Sequence, residues 1–274
     1  MTSKQLRYEG RYQRRKAARE KKRMARSQSL GGLEEVFSFR NLYKAGKKSC
    51  KNVMWKNSTQ RFIGNLLVEV AELHEQLMAG TFTGKGFIHF TIMERGKVRH
   101  IRSVHITERA VQKCLCDNYL VPLYAPAFVY DNSASLEGKG TDFALQRMTL
   151  HLQRHFRKFG RTGAILLYDF SGYFDTAPHA PLFAEAAKRM HDERLMEMCN
   201  RFIRAFGSVG LGLGSQISQT NALMLPNSLD HMVKEQLRIK GYGRYMDDGN
   251  LLHEDRDFLE TTCREALEKL LGKQ

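Results

Sequence analysis

The chain has 274 residues, which is long enough for a sizeable core and for two sub-domains. Its 42% hydrophobic and 10% aromatic content excludes a wholly disordered or collagen-like chain. No run of about 18 apolar residues occurs, so no membrane span is expected, and the basic N-terminus lacks the apolar region of a secretory signal. The 44 Lys and Arg residues against 29 Asp and Glu give a net charge of +15, which indicates an acidic polymer as partner.

The positive charge is concentrated in a basic N-terminal arm, residues 1–30. This arm holds eleven Lys and Arg residues and two acids, which is nine of the fifteen net charges. One interpretation is a helical arm that follows nucleic-acid phosphates, with Arg14, Arg15 and Lys16 as binding residues. The other is a solvated, disordered tail without a specific partner.

Residues 31–160 begin with a mixed, basic segment and continue with periodic segments. Thr107 is expected to cap a helix, and Gly96 is expected to form a hairpin turn. Apolar spacing predicts a helix over 60–78, strands over 87–93 and 98–104, a helix over 107–123, a glycine-bearing loop over 136–141 and a helix over 142–159.

Residues 161–274 interleave helices and strands, which indicates an α+β fold. The Asp-Gly pair at 248–249 is typical of a hairpin turn. The predicted elements are a buried strand over 164–170, helices over 178–191 and 194–206, a glycine-rich loop over 207–214, a helix over 218–240 kinked at Pro226, hairpin strands over 242–246 and 250–253, and a helix over 256–271.

Five scattered cysteines, with no CxxC pair and no signal peptide, indicate reduced thiols in a cytoplasmic protein. No function is assigned to them.

Three aspartates are the candidate metal ligands. Asp247 and Asp248 are adjacent carboxylates that repel each other, and a divalent cation relieves that repulsion. Asp169 ends an apolar strand predicted to be buried, where a lone charge needs a partner. A two-metal site would unite the three acids. Taken alone, an Asp-Gly turn is more often structural.

Four motifs, in this order along the chain, resemble those of reverse transcriptases, and the likeness covers about residues 85–253. The Tyr-x-Asp-Asp tetrapeptide lies on the predicted hairpin, where that family carries it. The matching segments are Gly138-Lys139-Gly140-Thr141, Leu167 to His179 (LYDFSGYFDTAPH), Gly210 to Gln219 (GLGLGSQISQ) with Leu229-Asp230-His231 after it, and Tyr245-Met246-Asp247-Asp248.

The resemblance implies the fingers and palm of a right-hand polymerase, with an antiparallel palm sheet flanked by helices. Fingers would span residues 31–160 and palm residues 161–274. It implies two Mg²⁺ ions, an RNA template, a DNA or RNA primer, and dNTPs. Asp169, Asp247 and Asp248 would be catalytic and would bind the metal, with the Phe170 carbonyl as a further ligand.

The resemblance also assigns substrate and nucleic-acid contacts. Phe174 would lie under the sugar of the incoming nucleotide and exclude a ribose 2′-OH; the alternative is a core aromatic. The remaining substrate-binding residues would be Lys97, Arg99, Gly214 and Tyr245, and Lys139 and Gln219 would contact nucleic acid. For Lys97, as for Arg95, a solvated hairpin charge is the alternative.

The glycine-rich motif indicates the lineage within the family. Leu213-Gly214 followed by Ser218-Gln219 resembles enzymes of diversity-generating retroelements more than those of group II introns. Gly212 and Asp142 depart from the commoner Pro and His. An RNA-dependent RNA polymerase and a maturase-like RNA-binding protein remain alternatives.

The sequence after the predicted catalytic hairpin is shorter than the resemblance leads us to expect. Members of the family continue with a primer-grip hairpin and a helical thumb, which this sequence lacks. A truncated or split gene, a piece of a longer protein, and a domain completed by a further polypeptide are the alternatives.

Overall fold

The computed structural model describes residues 2–94 and 96–271, with all their side chains except those of residues 94, 97, 99 and 271. The described chain is a helix-rich α+β protein, which confirms the predicted class. It divides into two compact units. The first comprises Met1–Leu123, Ala180–Ala205 and Gly214–Ile217, and the second comprises Tyr124–His179, Phe206–Leu213 and Ser218–Gln274.

Helices account for most of the regular structure. The α-helices are α1 Ser3–Ser29, α2 Leu33–Val36, α3 Phe39–Cys50, α4 Asn57–Gly64, α5 Leu66–Met78, α6 Ile106–Leu115, α7 Val121–Tyr124, α8 Thr141–Phe159, α9 Tyr173–Thr176, α10 His179–Arg189, α11 Glu193–Arg204, α12 Gln216–Met224, α13 Asn227–His231, α14 Arg256–Phe258 and α15 Arg264–Leu271. Wider π-helical turns are Cys116–Leu120, Met232–Gln236 and Leu259–Cys263, and Ala125–Ala127 is a 3₁₀ turn. The strands are β1 Phe87–Glu94, β2 Lys97–Val104, β3 Ala164–Tyr168, β4 Gly241–Tyr245 and β5 Asp248–His253.

In the first unit, the basic arm is a helix. Helix α1 is exposed along most of its length and is fixed at its C-terminal end. There the buried Ser27 hydroxyl lies 2.7 Å from the Tyr119 hydroxyl and 2.8 Å from His191 Nδ1. The long lysine- and arginine-rich part of α1 therefore projects its side chains into solvent.

Two helix boundaries in the first unit differ from the prediction. The helix predicted over 60–78 is two helices, because α4 ends at Gly64 and α5 begins at Leu66. Gly64 and Asn65 are both weak helix formers, so the chain turns between them. Helix α6 begins at Ile106 after His105, so Thr107 lies inside the helix and does not cap it.

The hairpin predicted in the first unit is confirmed. Strands β1 and β2 pair antiparallel from Phe87 opposite Val104 to Glu94 opposite Lys97. Gly96 has a φ of +77°, which an L-residue adopts only with strain, so the glycine suits this turn.

The second unit is built on an antiparallel sheet of strand order β3-β5-β4. Residues directly opposite each other share a face, so Tyr242 and Leu251 lie on one side with Leu166. That side packs on helical residues that lie both before and after the β4–β5 hairpin in sequence. The buried residues of this core are Leu229, Val233, Ile239, Tyr242, Leu251, Leu259, Cys263 and Leu267.

Strand β3 was predicted to be buried, and this is wrong for one of its faces. Ile165 is 42% exposed and Leu167 is 72% exposed, while Leu166 packs against the core. Helix α8 packs mainly against β4 at the other edge of the sheet, so it leaves this face of β3 uncovered. A short apolar run cannot reveal this, since edge and central strands give the same pattern.

The helix predicted over 218–240 is interrupted. Helix α12 ends at Met224, and α13 begins after Pro226. Proline lacks the backbone N–H that would continue the helix, so the predicted kink is a break.

All five cysteines are buried and none forms a disulfide, as predicted. Burial raises the pKa of Cys114 to about 12, which makes it unreactive as a thiolate. In the described part of the chain, no helix has both the length and the apolar character needed to cross a membrane.

Candidate active site

The Tyr-Met-Asp-Asp segment forms the tip of the β4–β5 hairpin. Tyr245 pairs with Asp248, so the two residues of the turn are Met246 and Asp247. Met246 has a φ of +56°, a left-handed conformation that costs a non-glycine residue energy. The turn was predicted around Asp247-Asp248-Gly249, and this is wrong for Asp248 and Gly249, which already belong to β5.

Gly249 has a different reason to be glycine. A Cβ at this position would lie 2.1 Å from the ring of Tyr168, which packs directly over the Gly249 backbone. The glycine therefore leaves room for the Tyr168 ring at the end of the sheet that carries the acids.

The strand register brings two of the three acids together. Tyr168 pairs with Gly249, so the same register continued by one residue places Asp169 opposite Asp248. Both aspartates are exposed and share the open face of the sheet with Tyr245. Asp169 was predicted to follow a buried strand, and its exposure removes the desolvation reason for expecting a partner. The reason to expect a partner is instead its position opposite Asp248, because two facing carboxylates repel each other.

A buried ion pair lies beneath the turn. Arg244 donates from Nε and Nη2 to the two carboxylate oxygens of Asp230, each at 2.7 Å, and neither side chain is exposed. Arg244 Nη1 also donates to the Met246 carbonyl oxygen at 2.7 Å. Burial by itself would lower the pKa of Arg244, but the Asp230 carboxylate outweighs it and raises the pKa, so the guanidinium stays charged.

Two tyrosines extend this network to β3. The Tyr242 hydroxyl donates to Asp230 Oδ1 at 2.6 Å and lies 2.8 Å from the Tyr168 hydroxyl. Burial and the Asp230 charge raise the pKa of Tyr242, so its hydroxyl remains a donor. Arg244 thus connects the turn to Asp230 on α13. The two tyrosine hydroxyls continue this network from Asp230 to β3.

Sequence reasoning missed Arg244 as a site residue. A signal for it existed, because alternation along β4 places Arg244 on the same face as the apolar core residue Tyr242. A charge at a core position requires an opposite charge. Asp230, between Leu229 and His231 in a predicted helix, is such a residue.

The donor atoms suit Mg²⁺, which prefers carboxylate and carbonyl oxygens. Asp169, Asp247 and Asp248 supply carboxylates at one end of the sheet, and the Phe170 carbonyl is adjacent in the chain. Among the described side chains, however, no three Asp, Glu, His or Cys groups converge closely enough to enclose a metal ion. The residues therefore suit the cation by the chemistry of their donor atoms.

Phe170, which directly follows Asp169, and Phe174 belong to one aromatic cluster. The Phe170 ring stacks on Tyr173 at 5.2 Å, and Tyr173 contacts Phe174 edge-on at 5.7 Å. Tyr173 is buried, whereas Phe174 is half-buried. Phe174 is therefore supported from below and has a surface open to solvent.

The glycine-rich motif is hydrogen-bonded to the segment after β3. Leu211 N donates to the Phe174 carbonyl oxygen at 2.6 Å, and Gly210 N donates to that of Ala177 at 2.8 Å. Gly212 N donates to Ser218 Oγ at 3.1 Å. A Cβ on Gly212 would lie 1.8 Å from the Phe206 ring, which explains a glycine at this position.

Lys139, predicted to contact nucleic acid, points inward. Its Nζ donates to the carbonyl oxygens of Tyr130 and Asn132, both at 2.6 Å. It also lies over the rings of Tyr130 and Phe143, at 5.2 and 5.0 Å. These contacts give Lys139 a structural role in holding the loop of residues 130–132.

That loop completes the sheet edge and contains a buried acid. Ser133 N donates to the Arg244 carbonyl oxygen at 2.9 Å. Asp131 binds Arg147 Nε at 2.6 Å and Lys234 Nζ at 2.8 Å, and His151 Nε2 lies 3.3 Å away. Burial alone would raise the pKa of Asp131, but these three hydrogen bonds outweigh it and hold the pKa well below its usual range.

A cavity of about 310 Å³ opens beside the acids. It is bordered by Tyr245 and Asp248 on the sheet and by Arg147 and Met148 on α8.

Gln219, predicted to contact nucleic acid, lies half-buried on α12 and belongs to the second unit.

The other predicted site residues belong to the first unit. Arg14, Arg15 and Lys16 are exposed on α1, and Gly214, with a φ of +90°, is also exposed. Arg95 and the side chains of Lys97 and Arg99 lie outside the described residues, so their predicted triphosphate contacts stay predictions.

No protein-family model matches the chain, and no curated protein matches it either. Two similar solved chains come from a "Partial Cas6-RT-Cas1--Cas2 complex" and a "Cas6-RT-Cas1--Cas2 complex", each at 16% identity and a TM-score of 0.47. The matches cover 88% of this chain but only 43% and 27% of those chains. A TM-score of 0.47 does not establish a common fold, so function is inferred from this chain's own residues.

Proposed function

We propose that the chain is an RNA-directed DNA polymerase of the reverse-transcriptase type. The observation that carries the proposal is the Tyr-Met-Asp-Asp turn, with Asp169 opposite Asp248 on an exposed sheet face. In this proposal residues 161–274 form the palm, and residues 31–160, with the β1–β2 hairpin, form the fingers.

The acids would hold two Mg²⁺ ions through Asp169, Asp247, Asp248 and the Phe170 carbonyl. When bound, such ions activate the primer 3′-hydroxyl and stabilise the leaving pyrophosphate. The chain's own part is to present the carboxylates on one rigid edge. The Arg244 contact with the Met246 carbonyl and the Tyr168 contact with Gly249 support that role.

The substrates would lie on the same open face. Tyr245, 38% exposed, would contact the primer end, and the half-buried Phe174 would exclude a ribose 2′-OH. Lys97, Arg99 and Gly214 would bind the incoming dNTP, and α1 and Gln219 the nucleic acid. The diversity-generating retroelement lineage is proposed on Leu213-Gly214 followed by Ser218-Gln219.

A second candidate is a non-catalytic, maturase-like RNA-binding protein on the same scaffold. It is favoured by the long exposed basic helix α1 and by the lack of a converged three-ligand metal cluster among the described side chains. The two candidates differ in whether Mg²⁺ and dNTPs produce DNA.

The test is primer extension on an RNA template with purified protein. Asp247→Asn should abolish Mg²⁺-dependent extension with dNTPs and leave template affinity nearly unchanged, because only the metal ligand is lost. Asp257→Asn, at an exposed carboxylate on α14, is the matched control and should extend normally. Full extension by Asp247→Asn would contradict the polymerase proposal. Extension with NTPs in preference to dNTPs would indicate an RNA polymerase.

A further inference from the structure

Outside the candidate active site, one stretch of the first unit is strongly basic. Residues 36–68 contain seven Lys and Arg residues and no acid. Four of these, Arg40, Lys44, Lys47 and Lys51, recur at spacings of four, three and four residues along α3 and its C-terminal cap. All four are exposed, so they form one stripe on the helix surface.

The stripe has few internal partners. Lys48, on the same helix, is paired with Asp117 at 3.0 Å. Among the described side chains, none of the four stripe residues forms an ion pair with a carboxylate. Cations near a helix C-terminus interact favourably with the helix dipole, but a charge of this density also repels itself without an anion.

The only tryptophan of the chain follows the stripe directly. Trp55 lies in the turn between α3 and α4 and is 74% exposed. Lys56 Nζ lies 5.1 Å from the centre of its ring. Met54 beside it is 46% exposed. Met54 and Trp55 thus form an exposed apolar patch beside the cations, and such patches mark binding surfaces.

We propose that this surface, Arg40, Lys44, Lys47, Lys51 and Trp55, binds single-stranded nucleic acid. Phosphates would lie along the stripe and one base would stack on the indole ring. The stripe is about 16 Å long, at 1.5 Å per helical residue, which is enough for several consecutive phosphates. Aromatic stacking beside a basic groove is the usual way to hold a single strand without reading its sequence.

The proposal goes beyond polymerase activity and does not depend on it. It needs neither metal nor dNTP, and the surface lies wholly in the first unit. An acidic protein is the competing occupant, but it would use the cations and leave the tryptophan ring without a stacking partner.

The single tryptophan makes the test direct, because intrinsic fluorescence reports on Trp55 alone. Oligo-U or oligo-dT, titrated into the full chain without metal, should quench that fluorescence saturably. Trp55→Ala should weaken binding of a labelled oligonucleotide, measured by anisotropy, by about tenfold, and Trp55→Phe should retain most of the affinity.

The charged part of the surface is tested by salt dependence. Lys44→Gln with Lys47→Gln should lower the slope of log affinity against log salt by about 1.4, at about 0.7 per phosphate contact. Lys188→Gln with Lys269→Gln removes the same charge from exposed sites elsewhere and should leave the slope unchanged.

Two results would overturn the proposal. One is oligonucleotide binding by anisotropy with no change in Trp55 fluorescence, which would place the strand elsewhere. The other is equal quenching by poly-glutamate of matched charge, which would indicate an acidic protein partner. Extension by Asp247→Asn tests only the polymerase proposal and does not change either of these two results, so the two proposals fail separately.

Discussion

Arg244 and Asp230 form a bidentate ion pair with no solvent exposure, directly beneath the turn that carries Asp247. Burying two charges is costly, and replacing such a pair by apolar residues is often neutral or stabilising. Here the same guanidinium holds the carbonyl of Met246, the residue in a left-handed conformation. The pair therefore fixes the conformation of the aspartate turn.

The first prediction separates this positioning role from stability. Arg244→Met should destabilise the fold by about 3–5 kcal/mol, because the Asp230 charge is left buried and unpaired. Adding Asp230→Leu should recover most of that lost stability. Primer extension should stay low, because the hydrogen bond from Arg244 to the Met246 carbonyl is still missing. Urea unfolding and extension rates measure the two effects. Recovery of extension together with stability would assign Arg244 a purely structural role.

Phe174 should control the choice of sugar. Phe174→Ala removes the ring that would meet a ribose 2′-OH, so the preference for dNTP over NTP should fall by about tenfold or more. The measurement is the ratio of kcat/KM values for the two substrates. Phe174→Tyr keeps the ring and serves as the control. An unchanged ratio in Phe174→Ala would make the residue a support for Tyr173 only.

Asp131 should make stability depend on pH in the acid range. Its pKa is lowered in the folded state, so its contribution is present above the unfolded pKa of about 3.9 and is lost as pH falls below it. Asp131→Asn should cost about 3 kcal/mol at pH 7, and the difference from the wild type should shrink towards pH 2.

Denaturant unfolding across that pH range checks this prediction. Glu260→Gln breaks the exposed pair with Arg256 and should change little, since such pairs contribute little in water. A difference for Asp131→Asn that stayed constant with pH would mean that the loss arises from packing.

The basic arm should contribute to affinity through salt-dependent contacts. Arg14→Gln, Arg15→Gln and Lys16→Gln together should lower the slope of log affinity against log salt by about 2 on single strands. Substitution is a cleaner test than deletion of residues 1–30, which would also remove the buried Ser27 contacts. A slope equal to that of the wild type would mean that these α1 residues do not contact nucleic-acid phosphates.

Local patterns were sufficient for much of the fold. The alternation in 87–104 predicted the β1–β2 hairpin within one residue at each strand end, and the motif order placed the acids on a strand and a hairpin. The exposure of Leu167 and the position of the turn were wrong. Both depend on which strand lies beside which, and on the Tyr168 ring that fills the space over Gly249.

By itself, the sequence determined the chemistry available: three aspartates at two strand ends, a basic arm, and reduced cysteines. Which groups meet was decided by tertiary structure. The register of β3 against β5 places Asp169 opposite Asp248, and Arg244 finds Asp230 from another element. Local periodicity fixes only which face a residue takes, whereas the partner on that face is selected by packing between segments distant in the chain.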